Sequence, residues 1–207
     1  MLIIGLTGSI GMGKSTAAAR LRDHGIAVFD ADAAVHELYA GPSSRLIEAA
    51  FPGTTKDGVV DRAELSRQVM ADPAALTRLE GIVHPFVREA ERAFLMREAA
   101  RGAAMAVLEV PLLLETGGDL LVDVVIVVSA GEAAQRARVM ARPGMTPDKL
   151  ERLLSRQMPD AEKRRRADFV VDTSGPVERS AEAIDAIVAD LRERQGVAYH
   201  RHWARAV

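Results

Sequence analysis

Eight consecutive residues match a pattern that binds nucleotide phosphates. Residues 8–15 read Gly-Ser-Ile-Gly-Met-Gly-Lys-Ser, which agrees with G-x-x-x-x-G-K-[ST] at every fixed position. In such a loop the backbone N–H groups point at phosphate oxygens, and the N-terminus of the next helix adds a favourable dipole end. Lys14 is expected to reach the β and γ phosphates, the Ser15 hydroxyl to contact Mg²⁺, and Thr16 to contact the α phosphate. The predicted ATP-binding residues are Gly11, Met12, Gly13, Lys14, Ser15 and Thr16.

Two aspartates, Asp30 and Asp32, follow the second predicted strand. They are expected at the carboxyl edge of the sheet, where open α/β folds bind ligands and where the phosphate loop also lies. One carboxylate there can accept the proton of an attacking hydroxyl, and the other can hold a metal through water. The alternative is that Asp30 is the N-cap of the next helix and Asp32 lies in its first turn. The shared sheet edge favours the chemical interpretation.

Arg138 and Arg142 follow the fourth predicted strand and are four residues apart, so on a helix they share one face. Two guanidinium groups that close on a polyphosphate would offset the negative charge that spreads during phosphoryl transfer. The alternative is a solvated basic face, because arginine is mostly exposed in proteins. The run Arg164–Arg166 is expected at the surface on the same argument.

Two further residues are candidates for the site. Glu109 ends the third predicted strand, where it could hold a magnesium-bound water or pair with an arginine of a lid. His84 precedes Pro85, and this pair is predicted to break a helical region. A histidine at such a break would face the pocket of the phosphate acceptor, although a lone histidine is more often a surface or core residue.

The elements that position these residues alternate short apolar segments with longer amphipathic ones, which is typical of an α/β fold with a parallel sheet. The predicted strands are residues 2–7, 27–29, 104–110, 122–128 and 169–171. Helices are predicted at 14–24, from about 33, at 44–51, after 61, after 72, after 146 and at 177–195. No strand pattern is found between Asp30 and Ala104. The predicted organisation is a core at 1–32, 102–138 and 167–207, a helical substrate lobe at 33–101 and a lid at 139–166.

Composition excludes several classes of protein. The chain has 207 residues, a formal net charge of −2 and no cysteine, so it has no disulfide, thiolate zinc site or cysteine nucleophile. It also has no asparagine, and the guanine-reading motif N-K-x-D of regulatory GTPases is therefore impossible. The balanced charge does not favour nucleic acid as a partner, and no apolar run has the length of a membrane span. We expect a cytoplasmic protein that binds neither nucleic acid nor membrane, as a monomer or weak homo-oligomer.

Taken together, the motifs resemble the dephospho-coenzyme A kinase family from Ile4 to about Gly175. The resemblance depends on separated pieces in the family's order: residues 5–8 leading into 13–16, 30–32, 84–85, 110–115, Gln135 with Arg138 and Arg142, and Gln157 with 167–168. It implies a P-loop nucleoside-monophosphate-kinase-like core with a five-stranded parallel sheet, a helical acceptor-binding insertion and a lid. The implied reaction transfers the ATP γ-phosphate to the ribose 3′-hydroxyl of dephospho-CoA, with Mg²⁺ as cofactor.

The resemblance also implies residue roles. Asp32 matches the family's proposed base, Arg138 and Arg142 match its lid arginines, and His84 matches a position on the acceptor side. Four residues depart from the family pattern: Ser9 replaces a glycine, Met12 a small residue, Pro143 a polar residue and Thr173 an asparagine. Backbone N–H groups make the phosphate contacts, so the first two changes leave those contacts intact. Pro143 bears on lid motion and Thr173 on adenine contact.

Two other functions share the phosphate-loop argument. One is a small kinase that phosphorylates a different nucleotide, nucleoside or metabolite alcohol, since the insertion and not the loop selects the hydroxyl. The other is a protein that binds ATP as a structural or regulatory ligand without transferring phosphate. Asp32 and the paired arginines argue against the second function.

Overall fold

The computed structural model describes residues 1–41, 43–70 and 72–204. The chain divides into two compact units, Met1–Phe29 with Leu95–Val207, and Asp30–Phe94. The strands are β1 (Leu2–Thr7), β2 (Ala27–Asp30), β3 (Thr55–Lys56), β4 (Val59–Val60), β5 (Met105–Glu109), β6 (Val124–Ser129) and β7 (Phe169–Asp172). The α-helices are α1 (Lys14–Asp23), α2 (Ala31–Tyr39), α3 (Ser43–Ala50), α4 (Arg62–Met70), α5 (Pro73–Ala100), α6 (Gly131–Met140), α7 (Pro147–Leu154), α8 (Asp160–Arg166) and α9 (Val177–Leu191).

The first unit is built on a five-stranded sheet with the order β2-β5-β1-β6-β7. β1 pairs in parallel with both β5 and β6, and β6 pairs in parallel with β7. Every residue of β1 and of β6 is buried, as continuous apolar strands covered on both faces should be. The predicted five-stranded parallel sheet is confirmed.

Helices α1 and α9 contact each other and contribute to the main core of this unit. Alternate residues of β1 point into that core, because successive side chains of a strand face opposite sides. The core includes Leu2, Ile4 and Leu6 of β1, Ala18 and Leu21 of α1, and Ile184, Val188 and Leu191 of α9. A smaller cluster holds Leu113, Leu114, Val125 and Val127.

The segment between β6 and β7 carries three short helices. α7 begins as predicted after Thr146, whose hydroxyl accepts a hydrogen bond from the Lys149 N–H at 3.2 Å. In α8 the three arginines Arg164–Arg166 are exposed, as expected. The preceding Lys163 is fully buried.

The second unit has a core of its own, made by α2 to α5 with the β3–β4 hairpin. Its buried members are Ile47, Phe51, Val60, Leu65, Val69, Ala75, Leu79 and Val83. α4 begins where Asp61 accepts hydrogen bonds from the N–H groups of Ala63 and Glu64. Among the described residues, no helix combines the length and the apolar character that crossing a bilayer requires.

Two predictions for the second unit are wrong. The chain between Asp30 and Ala104 does contain strands, since β3 and β4 form an antiparallel hairpin. The turn residues Asp57 and Gly58 were the available signal, because Asp-Gly is a preferred two-residue loop of a tight hairpin. His84-Pro85 also does not break the helix, since α5 continues from Pro73 to Ala100 with Pro85 inside it.

The helix continues through Pro85 although a proline removes one N–H from the helical ladder. The carbonyl that loses its partner belongs to Gly81, four residues earlier, which is exposed to water. A Cβ built on Gly81 would meet no atom within 4 Å, so the position is open. The other boundaries differ by a few residues, the largest difference being α9, which ends at Leu191 rather than at Gln195.

Candidate active site

The phosphate loop lies between β1 and α1, and two of its glycines are required by geometry. Gly13 is the N-cap of α1 and has a φ of 92°, a left-handed backbone conformation that residues other than glycine rarely adopt. At Gly11 an added Cβ would lie 2.5 Å from Val139 Cγ2 of α6. The loop is therefore held closely against α6, with no room for a side chain at this point.

A pocket of about 400 Å³ opens on this loop. Every residue that lines it belongs to the first unit. The lining residues are Ser9, Gly11, Met12, Gly13, Lys14, Ser15, Thr16, Arg138, Arg142, Thr173, Gly175, Val177 and Ser180. The structure thus brings together all six predicted ATP-binding residues and both predicted arginines.

The N-terminus of α1 gives the pocket its positive character. Lys14 is the first residue of the helix, and its ammonium group donates a hydrogen bond to the Gly8 carbonyl at 3.1 Å. Ser15 and Thr16 follow in the first turn and are exposed. Gly13 has no side chain that could cap the helix, so an anion can accept hydrogen bonds from the N–H groups of this turn.

Arg138 contacts both sides of the pocket. Its guanidinium donates to the Thr173 carbonyl at 2.5 Å and lies 3.5 Å from the Gly11 carbonyl. Arg142 does not lie on the same helix face, because α6 ends at Met140 and Arg142 belongs to the following turn. Both arginines nevertheless line the pocket, to which they bring positive charge.

Thr173 makes a hydrogen bond to the phosphate loop that the sequence analysis did not predict. Its hydroxyl donates to the Met12 carbonyl at 2.7 Å, and so joins the end of β7 to the phosphate loop. The Met12 side chain is buried in the main core, which leaves its backbone to face the pocket. Nearby, hydrogen bonds from Ser174 lower the pKa of Asp172 and keep that carboxylate anionic.

Two glutamines hold the middle of the loop by its backbone. Gln135 donates to the Ile10 carbonyl at 2.8 Å, and Gln157 accepts from the Ile10 N–H at 3.1 Å. Gln157 lies 147 residues from Ile10 along the chain. Both glutamines belong to the family-like motifs, but nothing in their local sequence indicates this contact.

The predicted acceptor residues belong to the second unit. Asp30 is the N-cap of α2, since its carboxylate accepts a hydrogen bond from the Ala33 N–H at 3.0 Å. The capping interpretation is thus confirmed for Asp30. Asp32 is exposed in the first turn of the same helix, and His84 is exposed on α5. Their catalytic and acceptor-binding roles stay predictions.

The residues present fit a magnesium ion that the nucleotide brings with it. Among residues 1–41, 43–70 and 72–204, no group of three histidine or acidic side chains could hold a metal ion by itself. Ser15 lines the pocket at the N-terminus of α1, whereas Glu109 is buried at the end of β5 and is not one of the residues that line the pocket. Mg²⁺ commonly takes few protein ligands and completes its shell with phosphates and water.

Comparison with known proteins identifies the family. The sequence model of the family described as dephospho-CoA kinase matches residues 2–179. The chain belongs to the dephospho-CoA kinase family. A dephospho-CoA kinase from Mesorhizobium japonicum is 54% identical over 196 residues, which cover 95% of this chain and all of that relative. One from Rhodopseudomonas palustris is 57% identical over 193 residues, covering 93% and 94%.

Solved structures support the same fold for this member of the dephospho-CoA kinase family. A crystal structure of the protein TT1252 from Thermus thermophilus has a TM-score of 0.78 at 38% identity, covering 92% of this chain and 97% of that one. A dephospho-CoA kinase from Campylobacter jejuni has a TM-score of 0.61 at 22% identity, covering 91% and 96%. A shikimate kinase from Acinetobacter baumannii, with a TM-score of 0.51 at 16% identity, shares the fold alone.

Proposed function

We propose that the chain transfers the γ-phosphate of ATP to the ribose 3′-hydroxyl of dephospho-CoA and so forms CoA and ADP. One observation carries the phosphate-transfer part of this proposal: the phosphate loop, Arg138 and Arg142 line a single pocket of about 400 Å³. Membership of the dephospho-CoA kinase family supports dephospho-CoA as the acceptor. The cytoplasm stays our prediction for where the reaction occurs.

On the nucleotide side, the backbone N–H groups of residues 11–16 bind the phosphates, and the Lys14 ammonium contacts the β and γ groups. Arg138 and Arg142 approach the transferred phosphoryl group, where their charge offsets the negative charge that spreads over its oxygens. These contacts act mainly by positioning ATP and by electrostatic stabilisation. The position of both arginines on the pocket wall supports this role.

On the acceptor side, Asp32 accepts the proton of the 3′-hydroxyl, and His84 contacts the dephospho-CoA. The exposure of both side chains supports these roles, because each is open to a ligand. Asp30 is already engaged as the cap of α2, which favours Asp32 over Asp30 as the base.

Magnesium is part of the proposal. Ser15 would hold it through its hydroxyl, and Glu109 would hold it through a water molecule. When bound, the ion neutralises phosphate charge and orients the leaving group. The position of Ser15 on the pocket wall supports this arrangement, since Mg²⁺ commonly takes one or two protein oxygens and completes its shell with phosphates and water.

We place the moving part of the predicted lid in residues 145–156, which is narrower than 139–166, because Val139 at the end of α6 is fully buried and packs against Gly11. The turn at Arg142–Gly144 is the hinge, and Gly144 has a φ of 71°. The later residues of the segment are hydrogen-bonded to the core of the first unit: Gln157 to Ile10, Met158 to Glu115 and Asp160 to Ser129. These hydrogen bonds support the proposal that the residues after 156 stay fixed when the lid moves.

The test is ADP release by the purified protein with Mg-ATP, measured with and without dephospho-CoA. AMP, shikimate and gluconate are the control acceptors. We expect release only with dephospho-CoA, and a product that carries a 3′-phosphate. Turnover on a control acceptor alone would support kinase activity but reject dephospho-CoA as the acceptor. No turnover on any acceptor would favour a nucleotide-binding protein without transfer chemistry.

A further inference from the structure

Lys163 is a buried lysine outside the pocket. Its side chain has no exposed surface, and its ammonium lies 2.8 Å from Glu115 Oε1 and 3.2 Å from the Pro111 carbonyl oxygen. A buried ammonium is costly unless it is paired and hydrogen-bonded, so its partners need a physical explanation. Both partners lie in the loop after β5, whereas Lys163 lies on α8.

Two chains of contacts, called routes below, connect Lys163 to the phosphate loop, and the first leads to the beginning of that loop. The Pro111 carbonyl that accepts from Lys163 also accepts from the Thr7 hydroxyl at 3.1 Å. Thr7 is the last residue of β1 and directly precedes Gly8. Lys163 therefore shares its acceptor with the residue from which the phosphate loop begins.

A second route leads from Lys163 to the middle of the phosphate loop. Glu115 Oε1, which pairs with Lys163, also accepts from the Met158 N–H at 2.8 Å. The neighbouring Gln157 accepts from the Ile10 N–H at 3.1 Å. The ion pair therefore fixes the backbone of the residue next to Gln157, and Gln157 in turn fixes the loop.

We propose that Lys163 is a positioning residue for the phosphate loop, which acts through Pro111 and Thr7 on one side and through Glu115 and Gln157 on the other. The loop binds phosphate through backbone N–H groups, so its affinity depends on where those groups point. A buried ion pair with a purely structural role can be replaced by apolar side chains with little effect on ligand binding. This pair differs because one route ends on Ile10 of the loop and the other on Thr7, the residue directly before it. The inference rests on the proposed ATP site.

The experiment compares Lys163→Met, Lys163→Arg and Gln157→Leu with the wild-type protein. ADP with Mg²⁺ is the binding probe in calorimetry, and steady-state kinetics give kcat and the KM values for ATP and dephospho-CoA. We expect Lys163→Met and Gln157→Leu to weaken ADP binding and to raise the KM for ATP about tenfold, the loss of one hydrogen bond to a fixed group. The KM for dephospho-CoA should stay within about twofold of the wild-type value. Lys163→Arg keeps the charge, so its ADP affinity should lie between those of the wild type and of Lys163→Met.

Leu191→Ala is the matched control, because Leu191 is fully buried in the core but belongs to neither route. It should lower the melting temperature without changing ADP affinity. An unchanged ADP affinity in folded Lys163→Met, or an equal loss in Leu191→Ala, would overturn the proposal. If Lys163→Met does not fold, unchanged affinity in Gln157→Leu and Lys163→Arg decides against it in the same way. A wild-type protein that binds no ADP would instead refute the proposed function, and this inference with it.

Discussion

At the scale of single residues, Lys14 places a positive charge at the phosphate loop, where its ammonium nitrogen lies 3.1 Å from the Gly8 carbonyl oxygen. We predict that Lys14→Ala lowers turnover about 10²- to 10³-fold, because a preorganised cation at the transferred phosphoryl group is lost. The melting temperature should stay near that of the wild type. Arg22→Ala is the control, since it removes a positive charge from the exposed end of the same helix. Equal activity of the two variants would contradict the role of Lys14.

Asp32 and Asp30 can be separated by the same substitution at each position. Asp32→Asn should lower turnover about 10²- to 10⁴-fold, because the amide cannot accept the proton of the attacking hydroxyl. Asp30→Asn should retain most activity, since asparagine caps a helix as well as aspartate does and can keep the hydrogen bond from Ala33. Steady-state kinetics and circular dichroism of both variants provide the measurement. The reverse order of activities would move the base to Asp30.

At the scale of elements, α1 and α9 are joined by an ion-pair cluster at the surface. Arg20 makes two hydrogen bonds to Asp185 at 2.7 and 2.6 Å, and His24 Nε2 lies 2.6 Å from the same carboxylate. The Arg20 hydrogen bond, followed by that of His24, lowers the pKa of Asp185 from 3.8 to about 2. α1 also carries the phosphate loop at its N-terminus, so the cluster holds the far end of that helix.

The pKa of Asp185 sets the pH range in which this cluster stabilises the fold. Because the folded pKa is lower than the unfolded one, the stabilisation is fully present above about pH 4 and is lost as the pH falls toward about 2. We predict that Asp185→Asn lowers the melting temperature at about pH 5. The difference in melting temperature from the wild type should shrink as the pH falls from about 4 toward about 2. Asp190→Asn is the control, because Asp190 forms an ion pair with Arg194, just beyond the end of α9. A difference that does not change with pH would exclude Asp185 as its source.

At the scale of the whole chain, the segment after α9 is attached to the first unit at the beginnings of β1 and β6. The Asp123 carboxylate accepts hydrogen bonds from the N–H groups of Ile3, Val197 and Ala198 at 2.7 to 2.8 Å. Trp203 is 2% exposed and donates through its indole N–H to the Leu121 carbonyl at 2.8 Å. The segment from Val197 to Trp203 is therefore part of the folded structure of the first unit.

Removal of this anchor should destabilise the protein. We predict that Trp203→Ala lowers the free energy of unfolding by about 3–5 kcal/mol, the cost of a large buried aromatic side chain. His202→Ala, on the same turn but exposed, should have little effect. Urea denaturation followed by circular dichroism measures both, since the only tryptophan is absent from the first variant. A midpoint unchanged in Trp203→Ala would show that the segment does not contribute to stability.

The sequence by itself determined the features that depend on neighbouring residues. The phosphate loop between β1 and α1 is one contiguous pattern, and continuous apolar segments predicted all five strands of the main sheet. The Thr146 cap of α7 is equally local. The prediction was wrong at the β3–β4 hairpin and at His84-Pro85. At both places the local sequence does not specify the structure, and residues on either element pack into the core of the second unit, Val60 from β4 and Leu79 and Val83 from α5.

Only the tertiary structure decided which distant side chains support the phosphate loop. Arg138 meets Thr173 across 35 residues, and Gln157 meets Ile10 across 147. Lys163 stands at the start of a run of four basic residues that reads as a solvated surface, yet α8 turns it inward onto Glu115. Such contacts depend on how helices pack on the sheet, which the spacing of residues along one element does not specify. The burial of a single lysine among exposed arginines is therefore a property of the packed fold.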